Sequence, residues 1–503
     1  MSKARIIILC LYFFLCLSAL YVGMGPVGTM DGDFNSDSAI PVIMINSPEL
    51  TPYHLYYFGQ DRLGGWPFVL QWIINFVTQG NFTAIFIFIF NCFCIVAGSL
   101  ACSRLFPGAP AGNILFISAC LWSPTVRQYL HEINNPYSIQ LAISLIYWYV
   151  LSKTKLLKRS IPFHFSVLIF IGTLAVWTSN AAAIALCIFH FFEAIPYMTM
   201  RARKSYKLAY WLIPFLCYGL ERSINKFYNF YVEHHYSEFM EKYAFRVKTP
   251  VKLQFNDVFE NFGTAIKIIY ESHPFFLYYF IIFIIFLFVS GFRRGFRGLL
   301  EDTPRRILAL FMIVLATSFA SSLTSWIRIH NHLVRYAVNQ IFFMDFSLLI
   351  MLSCCINILI SKKWNAPAIL SSRIIHFASW IFLFSCIGLT SAQSRFEHYH
   401  SLVDISQQMI TAPKKTGVIG NYWETYKWEG IAPRQLIVLP HKSMDSIRIP
   451  WREKDFHTVD SIIRCDHSGS DNIVAGSNVF EATTRKISAP SCTYQLFERV
   501  RAR

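Results

Sequence analysis

The chain has 503 residues, of which 54% are hydrophobic, 17% are aromatic and only 15% are charged, and its formal net charge is +16. Together with a mean hydropathy of +0.41, this composition excludes an ordinary water-soluble globular protein. We therefore predict an all-α polytopic membrane protein.

Membrane crossing requires about 20 mostly apolar residues in a helix, because the backbone must satisfy its own hydrogen bonds in lipid. Eleven such spans are predicted, of which the third is short. They lie at about residues 5–24, 82–103, 112–124, 136–152, 161–178, 181–197, 208–222, 274–291, 307–326, 339–360 and 374–392. The first span begins like a signal peptide but has no obvious small-residue cleavage site, so we interpret it as a retained anchor.

The distribution of Lys and Arg predicts the orientation. Nineteen of these residues lie at the span ends and loops on one side, against five in the short loops on the other side. Cytoplasmic loops hold the excess of Lys and Arg, which places the N-terminus in the cytoplasm. Much of the positive charge then faces anionic lipid, so it does not indicate nucleic-acid binding.

This orientation divides the chain into a membrane domain, residues 1–392, and an external C-terminal domain, residues 393–503. The membrane domain has external loops at 25–65, 125–135 and 223–273. The tail contains 15 Lys and Arg and 12 Asp and Glu, a composition typical of a soluble domain. Its strings "KTGVIGNYW" and "RQLIVLP" indicate strands and "ETYKWEG" a helix between them, which predicts a small α/β domain.

Cysteine usage fits this topology. Eleven of the thirteen cysteines lie in predicted spans, where Cys is a small apolar residue. Cys465 and Cys492 lie in the tail, where they form a disulfide in an oxidising compartment or remain two buried thiols. No GxxxxGK[ST], GxGxxG, HExxH or paired CxxC motif is present, so nucleotide-driven transport and a structural zinc site lose their usual support.

The first external loop carries the strongest chemical signal, in "DGDFNSDSAIPV" and "YYFGQDRLGGWPF". Carboxylates remove protons or hold metals, and arginine binds phosphate through two parallel hydrogen bonds. Asp37 is either a catalytic base or, with Ser36, the cap of a short interfacial helix. Asp31 and Asp33 flank a glycine, as turn-forming residues do.

Further polar residues collect on the same side of the membrane. They are Arg127, His131 and Glu132 in the second loop, Arg328, His330, His332 and Arg335 in "WIRIHNHLVRY", and Asp345 in the tenth span. The alternatives are ordinary: arginines anchored to lipid headgroups, histidines at the interface, and a neutral hydrogen-bonded aspartate near a helix end.

In these features the chain resembles the GT-C superfamily of glycosyltransferases that use polyprenyl-phosphate sugars. The architecture agrees over the whole chain, and "NSDSAIPVIM" and "YYFGQDRLGGWPF" resemble the first loop of the bacterial O-antigen-modifying, serotype-converting glucosyltransferases. The resemblance implies a GT-C-like fold in the bacterial inner membrane, with the C-terminal domain in the periplasm. It also implies transfer of a hexose, glucose in those relatives, from undecaprenyl phosphate to a lipid-linked O-antigen or similar glycan of the lipopolysaccharide. Many members have two adjacent acids, whereas Ser38 follows Asp37 here.

The resemblance also implies roles for individual residues. Asp37 is the general base, alone or with Asp33, and a metal is not obligatory; the alternative is a Mg or Mn site at Asp33, Asp37 and Glu132. The candidates for binding the donor phosphate are Arg127, Arg328, Arg335 and, more weakly, Arg62, with Glu132, His131, His330 and Asp345 as accessory candidates. Tyr422, Trp423, Tyr426 and Trp428 bind the acceptor glycan or belong to a domain core.

Two other classes of protein remain alternatives. A lipid or sugar transporter (flippase) fits many spans, but it usually shows repeated halves, which are not evident in this sequence. An O-antigen polymerase or ligase is expected to concentrate arginine in large external loops. The 223–273 loop has six basic and six acidic residues and a single arginine, Arg246, which favours the transferase.

Overall fold

A helical membrane part and a C-terminal sheet domain make up the computed structural model. The structure describes residues 3–24, 36–58, 63–80, 83–130, 132–133, 136–153, 161–195, 204–236, 255–273, 275–294, 301–323, 337–363, 368–388, 392–410, 415–420, 422–440, 458–465, 472–475, 478–489 and 492–500.

Seventeen α-helices lie within these ranges. They are α1 (Lys3–Met24), α2 (Ser36–Ile45), α3 (Trp66–Thr78), α4 (Ala84–Leu105), α5 (Gly112–Trp122), α6 (Pro124–Tyr129), α7 (Tyr137–Ser152), α8 (Ile161–Thr178), α9 (Ala182–Ala194), α10 (Lys204–His235), α11 (Phe255–Ser272), α12 (Phe276–Arg294), α13 (Asp302–Ser322), α14 (Val338–Lys363), α15 (Ala368–Gly388), α16 (Ala392–Met409) and α17 (Tyr422–Ile431). A 3₁₀ helix spans Pro52–Leu55.

All eleven predicted spans fall on helices, but their number as membrane crossings stays a prediction. Among the described residues, five helices are long and apolar enough to cross a membrane alone, namely those at Ile6–Gly23, Ala84–Leu105, Asp302–Ser322, Val338–Ile360 and Leu370–Ile387. A sixth candidate is the pair α11 and α12, which is bent by 99° at its break. Five further apolar helices are shorter, with 10–17 residues each.

The external loops contain more helix than the sequence predicted. The span predicted at 208–222 is part of α10, which has 32 residues and extends well into the 223–273 loop. In the same loop α11 is strongly amphipathic, as expected of a helix at an interface. Between the first two predicted spans, α2 and α3 are both apolar but have only 10 and 13 residues, so neither has the length to cross a membrane.

The C-terminal domain has six strands: β1 (Thr416–Gly420), β2 (Leu436–Pro440), β3 (Ser461–Cys465), β4 (Asn472–Ala475), β5 (Asn478–Ala489) and β6 (Cys492–Arg499). Their order in the sheet is β2-β1-β3-β6-β5-β4. The first three are parallel and the remaining pairs antiparallel. Helix α17 connects β1 to its parallel neighbour β2, as such a connection requires a crossover. A small α/β domain therefore follows the membrane part.

The C-terminal domain contains a disulfide and packs against the membrane part. Cys465 and Cys492 form a disulfide with their Cα atoms 6.0 Å apart, which joins the end of β3 to the start of β6. Helix α17 packs along α2. The buried side chains of these two helices belong to one continuous apolar core. The C-terminal domain therefore packs against α2, in the segment that the sequence predicts as the first external loop.

Candidate functional site

Helix α2 carries Asp37 in its first turn and is enclosed on all sides. Every residue from Ser38 to Ile45 is buried, packed against α3, α4 and α17. A ten-residue helix is too short to be stable alone, so this packing holds it in place. Because Pro41 has no N–H, the carbonyl of Asp37 receives no helical hydrogen bond from it, and the first turn is tied less firmly than the rest.

Two side chains of α3 fix the other end of α2. Asn75 donates through Nδ2 to the carbonyl of Ile45 at 2.7 Å, and the indole N–H of Trp72 donates to the carbonyl of Ser47 at 2.9 Å. These bonds satisfy carbonyls that the end of a helix leaves without partners. The helix that positions Asp37 is thus anchored at its C-terminus and by its packing.

The residues on either side of "GQDR" are fixed against the C-terminal end of α8. The amide of Tyr57 donates to the carbonyl of Leu63 at 2.9 Å, which closes the segment between them into a loop. Trp66 donates through its indole to Thr178 Oγ1 at 2.7 Å, and Trp177 donates to the carbonyl of Leu55 at 2.9 Å. This loop carries Asp61 and Arg62, which themselves lie outside the described residues.

Gly64 is required where this loop meets α8. A Cβ atom at Gly64 would lie 1.9 Å from the carbonyl oxygen of Trp177, a backbone atom that has no room to move. We expect Gly64→Ala to lower stability by roughly 1–3 kcal/mol, the usual cost of overpacking. The control is Gly263→Ala in α11, where a Cβ meets nothing within 4 Å; there alanine is expected to be neutral or to stabilise the helix. Thermal unfolding of both purified variants measures the difference, and equal melting temperatures contradict this account.

A buried aromatic cluster joins the first loop to α10. Tyr56 donates to Glu221 Oε1 at 2.7 Å, and Arg222 pairs with the same carboxylate through Nε at 2.5 Å. The rings of Tyr53 and Tyr228 stack at 5.9 Å. Burial, followed by the bond to Glu221, raises the pKa of Tyr56 well above its ordinary value, so its phenol is a neutral donor. These bonds and ring contacts hold the first loop against α10, so we interpret the cluster as structural and call it the joint.

His54 belongs to the same joint. Its ring packs edge-on against Phe58 at 4.8 Å, and burial lowers the pKa of His54 to about 4. The imidazole is therefore neutral near pH 7.

A second polar cluster lies at the break between α11 and α12. His273 contacts Asp345 of α14 with 2.6 Å between Nε2 and Oδ1, and both side chains are buried. Arg127, on α6, is half-buried and has no carboxylate partner among the described residues. Burial lowers the pKa of Arg127, yet a guanidinium remains charged near neutral pH. Helix α6 packs against α14, and Arg127 and Asp345 each interact electrostatically with the thiol of Cys386 on α15.

The structure places two of the predicted candidates, Arg127 and Asp345, on helices that pack against each other, α6 and α14, and adds His273 as the partner of Asp345, which sequence reasoning missed. Glu132 is buried. The predictions for Asp31, Asp33, Arg62, His131, Arg328, His330, His332 and Arg335, and for the side chains of Asp37, Tyr422 and Trp423, fall outside the described residues.

Two of the predicted acceptor-binding residues are core residues of the C-terminal domain. Tyr426 and Trp428 have no exposed surface. The indole of Trp428 donates to the hydroxyl of Tyr494 on β6 at 2.7 Å, which ties α17 to the sheet. Neither ring offers a face for a sugar to stack on, so the prediction of acceptor binding is wrong for these two, and the domain-core alternative holds.

The alternative Mg or Mn site at Asp33, Asp37 and Glu132 stays a prediction, because two of its three side chains are not described. Among the residues that are described, no three side chains of His, Cys, Asp or Glu lie close enough to share a metal ion.

Comparison with known proteins identifies the fold. No protein-family model and no curated protein matches the chain. The structure of ArnT from Cupriavidus metallidurans bound to undecaprenyl phosphate matches with a TM-score of 0.54 at 10% identity, over 99% of this chain and 98% of that one. The apo form of ArnT matches with a TM-score of 0.56 at 11% identity over the same shares. An oligosaccharyltransferase from Archaeoglobus fulgidus, in complex with Zn and sulfate, gives 0.44 at 12% identity over 90% of this chain and 68% of that one. The chain has the fold of ArnT along its whole length.

Proposed function

We propose that this protein is a membrane glycosyltransferase that moves a sugar from a polyprenyl-phosphate donor to a glycan acceptor on the outer side of the membrane. The observation that carries the proposal is the agreement with ArnT over 99% of the chain, because the ArnT structure holds undecaprenyl phosphate. The membrane helices, the covering C-terminal domain and the acidic first loop support the same function.

The lipid-linked donor fits the chemistry of the outer surface. Nucleotide sugars stay in the cytoplasm, so a transferase that works outside needs its sugar delivered on a membrane lipid. The leaving group is then a lipid phosphate, whose developing charge needs fixed cations. Arg127 provides one such cation on the described surface, and Arg328, Arg335 and Arg62 are further candidates.

In the proposed reaction Asp37 acts as the general base. Its carboxylate takes the proton of an acceptor hydroxyl, whose oxygen attacks the anomeric carbon in line with the departing phosphate. A single displacement of this kind inverts the anomeric configuration. The enclosed helix α2 suits this role, because a base must be held within hydrogen-bond reach of the hydroxyl.

Glucose as the transferred hexose and O-antigen as the acceptor are the specific form of the proposal. They rest on the resemblance of "NSDSAIPVIM" and "YYFGQDRLGGWPF" to the first loop of serotype-converting glucosyltransferases. The same resemblance and the charge distribution support a bacterial inner-membrane protein with a cytoplasmic N-terminus and a periplasmic C-terminal domain.

A transfer assay with matched donors tests the function. The full-length protein in lipid nanodiscs receives a lipid-linked O-antigen acceptor and either undecaprenyl-phosphate glucose or UDP-glucose. We expect transfer from the lipid donor and none from the nucleotide donor. The donor is then varied over other undecaprenyl-phosphate sugars, which tests the choice of hexose separately. Absence of transfer from every lipid donor contradicts the proposed function.

A further inference from the structure

A buried histidine and a buried aspartate meet where the chain turns sharply between α11 and α12. The Nε2 atom of His273 lies 2.6 Å from Oδ1 of Asp345, and the two side chains are 0% and 1% exposed. Ionisable residues buried in a membrane domain are costly, and they usually mark a functional pathway or site. The pair joins an external loop to the second turn of α14.

Each partner of this pair keeps one polar atom without a bond. Neither Nδ1 of His273 nor Oδ2 of Asp345 has a hydrogen-bond partner among the described residues. Buried polar atoms are nearly always bonded, so these two atoms are the ones in the pair that remain available to a bound water or a ligand. A carboxylate in this position orients the ring by accepting from Nε2–H, as in other aspartate–histidine pairs.

The neighbouring charges favour an anion. Arg127 contributes one positive charge from the neighbouring helix α6, and a histidine–aspartate pair that holds the transferable proton is neutral wherever that proton lies, so the three residues together have a net charge of plus one. Arginine suits phosphate recognition because its planar guanidinium offers parallel donors. The other titratable or charged groups around the pair, among the described residues, are Cys386 on α15, Tyr279 on α12, which lies beside Ser347 of α14, and Glu271 on α11, which is exposed and pairs with Lys267. None of these adds a fixed charge beside His273.

We propose that His273, held by Asp345, gives a proton to the lipid phosphate that leaves the sugar, while Arg127 binds that phosphate. This inference rests on the proposed function and adds a proton donor to it. His273 would be a catalytic residue and Asp345 a positioning residue.

The step balances in atoms and charge. The bond between the anomeric carbon and the phosphate oxygen breaks with its electron pair on that oxygen, and the acceptor oxygen forms the new bond. The acceptor proton passes to Asp37. The proton on Nδ1 of His273 passes to the phosphate, which departs as the singly charged polyprenyl phosphate. His273 becomes neutral and still donates through Nε2–H to Asp345.

The product of this step contains the transferred proton, so binding of product takes up a proton in alkaline solution. Undecaprenyl phosphate is therefore a probe that does not depend on the identity of the sugar. Its affinity for the full-length protein in nanodiscs is measured from about pH 6 to about pH 9, beside undecaprenol, which lacks the phosphate. Wild type is expected to prefer the phosphate lipid and to lose affinity as the pH rises, by up to about tenfold per pH unit.

The variants separate proton donation from a structural role. His273→Gln is expected to bind undecaprenyl phosphate about tenfold more weakly at the acidic end and to lose the decline with rising pH. Arg127→Ala is expected to weaken binding at every pH and to keep the decline. The matched control is His400→Gln, an exposed residue on α16, which is expected to behave as wild type. If the pair only stabilises the bend, His273→Gln lowers the melting temperature and leaves the pH dependence as in wild type, which overturns the inference.

If His273→Gln does not fold, Asp345→Asn tests the inference in its place. Without the carboxylate the imidazolium is less stable, so the loss of affinity is expected to begin at lower pH than in wild type. A decline at the same pH overturns the inference. Equal binding of undecaprenol and undecaprenyl phosphate by wild type would instead contradict the proposed function itself.

Discussion

Asp37→Asn is expected to reduce the rate of sugar transfer by a factor of about 10²–10⁴, the usual contribution of a general base. Asparagine has nearly the same shape but accepts no proton at neutral pH, so the acceptor hydroxyl attacks without assistance. The change lies in the first turn of α2, outside the buried segment from Ser38 to Ile45. Folding is therefore expected to be unaffected. The measurement is the transfer rate at saturating donor, together with the melting temperature.

Asp404→Asn is the matched control for this variant. Asp404 is an exposed aspartate on α16, so the same chemical change there is expected to leave the transfer rate as in wild type. Asp33→Asn tests whether Asp33 assists the base. If it does, the substitution lowers the transfer rate, but by less than Asp37→Asn does; if it does not, the rate stays as in wild type. Wild-type transfer by Asp37→Asn would show that this residue caps α2 and that another group is the base.

The spans and the C-terminal domain were predictable because their signals are local. The fourth helix, Ala84–Leu105, was predicted at 82–103 from one uninterrupted apolar run. The strand–helix–strand unit around α17 followed from alternating strings and turn residues. Helix α3, with 13 residues, was missed because a run too short to cross a membrane was read as loop, although its composition is apolar.

The polar clusters were only partly predictable, because their members are distant in sequence. Asp345 attracted attention as an acid inside an apolar span. Its partner His273 is 72 residues away and lies in a loop where a histidine is unremarkable. Glu193 was overlooked, although it is the one acid in the apolar run at 181–197 and so stands inside an apolar span just as Asp345 does. Trp428 was misread because tryptophan serves equally as a sugar platform and as a core residue.

Glu193 is the centre of the most highly charged buried network among the described residues. Its carboxylate accepts from Arg306 Nε at 2.6 Å, from Arg305 Nη2 at 3.1 Å and from the indole of Trp148 at 3.1 Å. Arg305 also pairs with Asp302 at 2.8 Å. The carboxylate thus joins α7 and α9 to the start of α13.

Glu193→Gln is expected to lower the free energy of unfolding by roughly 3–5 kcal/mol, because it leaves buried arginine charge without its counter-ion. Glutamine has the same size, so a cavity does not contribute. The control is Glu271→Gln, which breaks the exposed pair with Lys267, where the nitrogen and oxygen are 3.7 Å apart; an exposed pair of this kind contributes less than about 1 kcal/mol. Equal stability losses in the two variants would contradict the role of Glu193.

A double-mutant cycle separates the ion pair from other effects of the substitution. In the wild-type protein, Arg306→Gln leaves Glu193 with one arginine fewer and is expected to be destabilising. In the Glu193→Gln background the same change removes an uncompensated buried charge, so it is expected to cost less or to restore stability. Neither substitution changes His273, Asp345 or Arg127, so binding of undecaprenyl phosphate by the folded fraction should keep its wild-type pH dependence. A loss of that pH dependence would instead indicate that the Glu193 network and the His273 site are coupled.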